Sequence, residues 1–372
     1  MNVSAASFSA RDHALMARAL RLAARGAYTT RPNPMVGCVL AQGDNVVGEG
    51  WHVRAGGPHA EVFALRQAQD HARGATAYVS LEPCAHHGRT PPCVDALIEA
   101  GVARVVVATN DPNPKVAGSG LARLRDAGIE VATGLMHAPA RELNRGFFSR
   151  IERGRPWLRV KLAMSLDGRT ALANGDSKWI TGAPAREDVQ RWRAQAGAIL
   201  TGSGTVLADN PRLTARVPGA DVAPLLRVVL DRQLRTPRGF HVLDGSAPTL
   251  VLHAPDATRD GRFDRTECQS LALEASGMSL PKALTVLAAR DINEVQVEAG
   301  PTLCGALFAH GLVDELLLYV APVFLGSTAR PLLELPALTS MAQRWHLELM
   351  DERRLGDDWR VLFRPKPSAQ SG

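Results

Sequence analysis

The string His59-Ala60-Glu61, followed later by Glu82-Pro83-Cys84 and Pro92-Cys93, limits what this chain can fold into more than any other feature. One imidazole and two thiols make three zinc ligands and leave a fourth position for water, the arrangement of catalytic rather than structural zinc. The fold must therefore bring three separated points together, and the flanking prolines indicate how. Pro58 stands before a helix expected over 59–73, and Pro92 opens another that runs through Ala100 and stops at Gly101. Helix N-termini carry the positive end of the peptide dipole, which favours thiolates and bound hydroxide. In the first helical turn Glu61 can bend toward the same point as His59. A carboxylate there can take a proton from zinc-activated water and return it to a leaving group. A closed structural site of the two cysteines with His86 and His87 is the alternative, but it leaves Glu61 without a role. Cys38, inside Val-Gly-Cys-Val-Leu, reads as a small core residue.

Around these strings, strands and helices alternate. A capping-box pattern at Ser9–Asp12 starts a helix that Gly26 stops. Residues 35–40 and 46–51 read as a hairpin, and strands are expected at 76–81, 104–109 and 129–133, with a helix at 121–128. Such alternation argues for a three-layer α/β domain. The pattern restarts after Gly154-Arg155-Pro156, with a helix at 184–196 and strands at 157–163, 198–201, 226–230, 249–253, 294–298 and 314–321. The expected division is 1–153, 154–365 and a Pro/Ser-rich tail, 366–372, that frays. No internal repeat is visible, so the halves are two different domains.

Composition closes off other classes. An apolar fraction of 45% excludes wholesale disorder. The longest apolar run, Leu316–Leu325, has ten residues and includes a proline, well short of the ~20 that span a bilayer. It could feed a core strand or an interface between copies of the chain. The N-terminus soon meets Arg11 and Asp12, which argues against a secretory leader, and a cytoplasmic location is expected. Five cysteines, an odd number, argue against a disulfide framework. The net charge of +6 comes from only five lysines against 38 arginines spread along the chain. That is compositional bias rather than a basic stripe interleaved with aromatics, so phosphorylated small molecules are expected partners and nucleic acid is not.

At these residues a resemblance becomes plain. His-Ala-Glu followed by Pro-Cys and a second Cys resembles the zinc-dependent cytidine/deoxycytidylate deaminase superfamily. The usual second half there is Pro-Cys-x-x-Cys, whereas eight residues separate Cys84 from Cys93. The long form, Glu-Pro-Cys-x-His-x-Gly-x-Thr-Pro-Pro-Cys, is similar to the riboflavin-biosynthesis deaminase branch. So are Thr30-Arg31-Pro32-Asn33-Pro34-Met35-Val36-Gly37-Cys38 and Asp111-Pro112-Asn113-Pro114. The resemblance implies a cytidine-deaminase-like α/β/α domain in which His59, Cys84 and Cys93 bind one Zn²⁺ and Glu61 shuttles the proton. It implies that His86 lines the site. Asn33 is either a contact for the pyrimidine or its ribose, or simply a turn residue.

The second half lacks Gly-x-Gly-x-x-Gly after a strand, since Leu207 stands where the third glycine belongs. It resembles instead the dihydrofolate-reductase-like α/β domain of bifunctional riboflavin enzymes. The matching strings are 161–169, 177–181, 205–211 and 298–303. Such domains use NADPH without that fingerprint. The resemblance places cofactor contacts at Ala163, Trp179, Thr205, Asp209 and the turn Gly300, Pro301, Thr302, Leu303, Cys304, Gly305 and Ala306. It places substrate contacts at Ser177, Arg193, Leu213, Arg216 and Glu298. Arg193 and Arg216 suit a ribose 5′-phosphate, which needs guanidinium forks. Lys161 and Asp167 are candidate proton donors for reduction at the sugar C1. Together the two halves imply deamination of 2,5-diamino-6-ribosylamino-4(3H)-pyrimidinone 5′-phosphate, then NADPH-dependent reduction of the ribosyl group to ribityl. The rival readings are a free-base or tRNA deaminase and a zinc-stabilised nucleic-acid binder.

Overall fold

The computed structural model describes residues 8–85, 92–114, 117–275 and 277–366. The expectations for His86, His87 and the tail beyond Lys366 fall outside them. The chain divides into two compact units, Met1–Gly154 and Arg155–Gly372.

The first unit starts with α1 (Ala10–Ala24), whose Ser9 and Asp12 complete the expected capping box. A hairpin of β1 (Gly37–Gln42) and β2 (Asn45–Trp51) leads to α2 (Ala60–Ala68). Then come β3 (Thr76–Val79), α3 (Cys93–Glu99), β4 (Arg104–Val107), α4 (Ser119–Asp126) and β5 (Glu130–Thr133). Two further helices, α5 (His137–Leu143) and α6 (Arg145–Arg153), close the unit. The sheet order is β2-β1-β3-β4-β5, antiparallel around β1 and parallel from β3 to β5. Side chains alternate across it as the pleat requires. Cys38 and Leu40 pack with α2, α3 and α4 on one face, while Val39 and Ala41 pack with α1 on the other. Three layers result, and Cys38 is a core residue.

Two glycines set the position of α2. A Cβ on Gly48 would stand 2.2 Å from the Ala64 carbonyl oxygen, and one on Gly50 would stand 2.6 Å from that of Ala60. Only hydrogen at both places lets the helix backbone lie on β2, which fixes where its first turn, and so His59 and Glu61, must be. The helix is shorter than the sequence suggests. Gln69 takes a positive φ of 50°, its N–H caps the Leu65 carbonyl, and a 3₁₀ turn covers Gln69–Ala72.

The second unit contains β6 (Trp157–Ser165), β7 (Arg169–Ala171), α7 (Ala183–Gln195), β8 (Ala198–Gly202), α8 (Ser203–Asp209), β9 (Leu226–Leu230), β10 (Thr249–His253) and β11 (Glu267–Ser270). It continues through β12 (Leu273–Glu274), β13 (Gly277–Met278), α9 (Leu280–Ala288), β14 (Glu294–Val297), α10 (Pro301–Ala309) and β15 (Glu315–Ala321). The short β16 (Arg330–Pro331) and a long hairpin, β17 (Leu347–Leu355) with β18 (Asp358–Pro365), complete it. Nine strands form one sheet in the order β11-β10-β9-β8-β14-β6-β15-β18-β17, parallel except for the last two. Every residue of β15 is buried, so the apolar run feeds a core strand. Leu158, Val160 and Leu162 alternate into the main core with residues of α9 and α10. Tyr319 and Leu317 pack on α7 across the sheet. Parallel strands send the loops after β6, β8, β9 and β14 to one edge, the place where α/β sheets bind ligands.

Candidate active sites

In the first unit His59 is the N-cap of α2 and Cys93 the first residue of α3, with Pro92 as its cap. Cys84 lies on the loop after β3, where its carbonyl accepts from the Val94 N–H at 3.2 Å and its sulfur accepts from the Cys93 N–H at 3.4 Å. The His59 Nδ1 stands 3.0 Å from the Cys93 Sγ and 3.6 Å from the Cys84 Sγ. All three donor atoms lie within 4.8 Å of one another. Metal–sulfur bonds of about 2.3 Å and metal–nitrogen bonds of about 2.0 Å at tetrahedral angles give donor separations near 3.5 Å. The trio fits zinc. Among the described residues it is the one such grouping of three potential ligands.

Protonation supports the same reading. Hydrogen bonding from Cys93, reinforced by His59, brings the Cys84 thiol down to about 4. Its partner Cys93 is pushed up by sharing that bond and by burial. A divalent cation favours both sulfurs as thiolates and displaces their protons on binding. Glu61 is only 2% exposed, and its Oε2 is buried without a hydrogen-bond partner among the described residues. Burial raises its pKa. A buried, unpartnered carboxyl oxygen beside a metal-type trio is costly unless something polar occupies the space between them.

His59, Glu61 and Cys84 line a cavity of about 490 Å³, together with Asn33, His52, Asp111, Asn113 and Phe147. Asn33 is on its wall, and its orientation is fixed. The His52 Nδ1 faces the Pro58 carbonyl at 3.0 Å and so carries the proton. Its Nε2 must then accept from the Asn33 Nδ2 at 3.1 Å, which leaves Asn33 Oδ1 as the acceptor for a ligand. Glu82 holds the opposite wall by accepting the N–H groups of Asp111, Gly118 and Gly120. Sequence reasoning quoted Asp111 and Asn113 only as part of a motif and missed His52, because a single histidine at a strand end carries no local signal.

In the second unit two adjoining cavities, of about 590 and 270 Å³, share Lys161, Ser177, Trp179, Thr205, Asp209 and Glu298. The larger is also lined by Leu213 and Arg216. Its lining carries six cationic side chains (Lys161, Lys178, Arg186, Arg193, Arg212, Arg216) against the two anions Asp209 and Glu298, so it suits an anionic ligand. The smaller reaches Ala163, Gly300 and Pro301.

Several expectations need correction. Arg193 donates to both Glu298 oxygens, at 2.6 and 2.7 Å, and to the Thr214 carbonyl. Its fork is occupied by these partners, and Arg216, Arg186 and Arg212 line the same cavity. Asp167 accepts from the Ser165 hydroxyl and from the N–H groups of Leu325 and Gly326, so it fixes a loop and lines neither cavity. α10 begins at Pro301, and each residue turns the next by about 100°. Gly300 and Pro301 therefore face the cavity, while Cys304 is buried in the core. Leu303 and Ala306 pack against that core. A Cβ on Gly305 would meet the Glu334 carbonyl oxygen at 2.0 Å, and Thr302 bonds the Glu334 carboxylate. Lys161 does face both cavities, and burial lowers its pKa.

Comparison with known families matches residues 9–109 to the cytidine and deoxycytidylate deaminase zinc-binding region and residues 156–361 to the RibD C-terminal domain. The chain is 49% identical to the Escherichia coli (strain K12) riboflavin biosynthesis protein RibD, over 93% of this chain and 97% of the relative. It is 46% identical to the Haemophilus influenzae protein of the same name, over 96% and 99%. Among solved structures, Acinetobacter baumannii RibD superposes with a TM-score of 0.90 at 45% identity, covering 96% of this chain and 99% of that one. A Thermotoga maritima diaminohydroxyphosphoribosylaminopyrimidine deaminase/5-amino-6-(5-phosphoribosylamino)uracil reductase superposes with a TM-score of 0.84 at 34% identity, covering 95% and 99%.

Proposed function

Because the chain belongs to the RibD family of bifunctional riboflavin-biosynthesis enzymes, we propose that its two cavities carry out two successive steps on one phosphorylated pyrimidine. The first unit deaminates 2,5-diamino-6-ribosylamino-4(3H)-pyrimidinone 5′-phosphate. The second reduces the resulting 5-amino-6-(5-phosphoribosylamino)uracil to its ribitylamino form with NADPH.

The observation that carries the deaminase assignment is the buried Glu61 Oε2, without a hydrogen-bond partner among the described residues, beside the trio of His59, Cys84 and Cys93. Those three would hold zinc, which when bound would supply a Lewis acid that makes water a competent nucleophile near neutral pH. Glu61 takes a proton from the attacking water as the water oxygen bonds to the amine-bearing ring carbon. It returns the proton to the departing nitrogen, the C–N bond breaks, and ammonia leaves. A pKa raised by burial suits a group that must both accept and donate. The acceptor presented by Asn33 Oδ1 meets a ligand N–H or hydroxyl.

In the second unit the cationic lining of the larger cavity suits the phosphate, and the smaller cavity would hold NADPH, which when bound would supply a hydride. Glu298, held by Arg193, and Lys161 line both cavities. In this reading Lys161 gives the proton that accompanies reduction at C1. Reduced thiols at Cys84 and Cys93 suit a cytoplasmic setting, and no helix among the described residues is long and apolar enough to cross a membrane.

Glu61→Gln tests the assignment. It should abolish ammonia release from the diaminopyrimidine while NADPH oxidation on the already deaminated substrate continues. Loss of both activities would argue against separable sites.

A further inference from the structure

One buried carboxylate beside the cavity of the first unit belongs neither to the metal trio nor to the proton shuttle. Glu82 is only 4% exposed and lines that cavity. Its partners are backbone amides rather than a cation. Oε2 accepts the N–H groups of Asp111 at 3.3 Å and Gly118 at 3.1 Å, and Oε1 accepts that of Gly120 at 3.2 Å. Burying a carboxylate is costly unless its oxygens are hydrogen-bonded, and here both are.

The three donors belong to a stretch of chain far from Glu82 in sequence. Asp111 lies in the turn that follows β4. Gly118 is the N-cap of α4 at a φ of 79°, and Gly120 stands in its first turn, where the positive end of the helix dipole favours an anion. Between them the Asp111 Oδ1 accepts the Asn113 N–H at 2.8 Å, and the Asn113 carbonyl accepts the Ala117 N–H at 2.9 Å. The side chains of Asp111 and Asn113 line the same cavity as Glu61 and Cys84.

On its own side Glu82 stands two residues before Cys84, and its N–H donates to the Thr109 carbonyl at 3.0 Å. One side chain therefore fastens the segment that supplies a metal ligand to the turn that supplies two polar groups of the cavity. Packing enforces the same closeness independently. A Cβ on Gly120 would stand 2.2 Å from the Pro83 carbonyl oxygen, so only glycine lets α4 approach this far.

Resting on the deaminase reading above, we propose that Glu82 is a positioning residue of the deamination, holding Asp111 and Asn113 at the separation from Glu61 and Cys84 that the pyrimidine substrate spans. It acts through those two side chains and passes no proton itself. Its loss therefore loosens the hold on substrate and leaves the proton transfer at Glu61 in place.

Glu82→Gln, in the intact chain, is the test. Glutamine keeps the shape but turns an NH₂ group toward N–H donors, so part of the clamp must open. The KM for the diaminopyrimidine 5′-phosphate should rise by roughly tenfold or more, with kcat within about threefold. Zinc content should stay at that of the natural chain, and deuterium exchange at the amides of Asp111, Gly118 and Gly120 should quicken. A purely structural role would instead lower zinc content and apparent kcat together and leave KM where it was. That result, or an unchanged KM, overturns the inference. Should the glutamine form not accumulate, Gly118→Ala strains the same clamp without touching Glu82. A Cβ there meets nothing within 4 Å, but the positive φ disfavours it, and KM should rise severalfold by the same criterion. If the natural chain releases no ammonia from this compound, the deaminase reading itself fails and the inference falls with it.

Discussion

Replacing Arg193 by methionine keeps most of the side chain's volume and removes the guanidinium that grips Glu298. The two are mostly buried, at 14% and 13% side-chain exposure, and meet through two hydrogen bonds. Burial alone would raise the Glu298 pKa, but Arg193, with help from Lys161 and Gln296, lowers it from 4.5 to about 2. At about 1.4 kcal/mol per pH unit, that difference is worth about 3 kcal/mol of folding stability at pH 7. Breaking one partner of a buried ion pair costs about 3–5 kcal/mol by general experience, which agrees. The sign follows from the lowered folded-state pKa. The contribution is full above about 4.5 and is lost as pH falls toward 2. In the methionine variant Glu298 has a raised pKa and gains from protonation over the same range. The stability gap should therefore be about 3 kcal/mol at pH 7 and shrink as pH drops below 4.5. Urea unfolding followed by tryptophan emission is a suitable assay, because five of the six tryptophans (157, 179, 192, 345, 359) lie in the second unit. A gap under about 1 kcal/mol at pH 7, or one that does not change with pH, would refute the reasoning.

Asp167→Asn should leave the reductase turnover number within a few-fold, because Asp167 ties Ser165 to the loop at Leu325 and Gly326 and lines neither cavity. A loss of about 100-fold with the fold intact, checked by circular dichroism, would return it to the role of proton donor. Gly50→Ala should destabilise the first unit by about 1–3 kcal/mol, because its Cβ would force α2 off β2. Ammonia release should fall with no loss of dinucleotide binding; normal deaminase kinetics would show that the close approach does not position His59 and Glu61.

The parts of this molecule that were legible in the sequence are those encoded locally. Ser9 and Asp12 announce a capped helix because both halves of the cap lie within one turn. Pro92 before Cys93, and Pro58 before His59, mark helix starts because a missing N–H is tolerated only there. The apolar run at 316–325 was readable as a core strand or an interface without a choice between them; its first part, through Ala321, is a buried strand, whereas Val323 and Phe324 are exposed. The hairpin β17–β18 escaped because β17 is largely exposed and both strands mix charges with scattered apolar side chains, which leaves no period to read. Helices α5 and α6 were missed for a related reason: short and arginine-rich, they look like loop.

In the sites, resemblance named positions, but direction came only from the fold. Arg193 reads as a phosphate fork until Glu298, more than a hundred residues away, is seen to occupy it. The same limit applies to His52, whose tautomer and hold on Asn33 depend on the carbonyl of Pro58 across a turn.

Everything proposed for the first unit depends on a carboxylate that serves the reaction without holding the metal. Zinc content and ammonia yield, determined side by side for the natural chain and for Glu61→Gln, test this most directly. The expected result is one zinc per chain in both, with ammonia release falling by roughly a thousandfold or more in the glutamine form. Ammonia release within tenfold of the natural chain, or loss of the zinc along with the carboxylate, would contradict it.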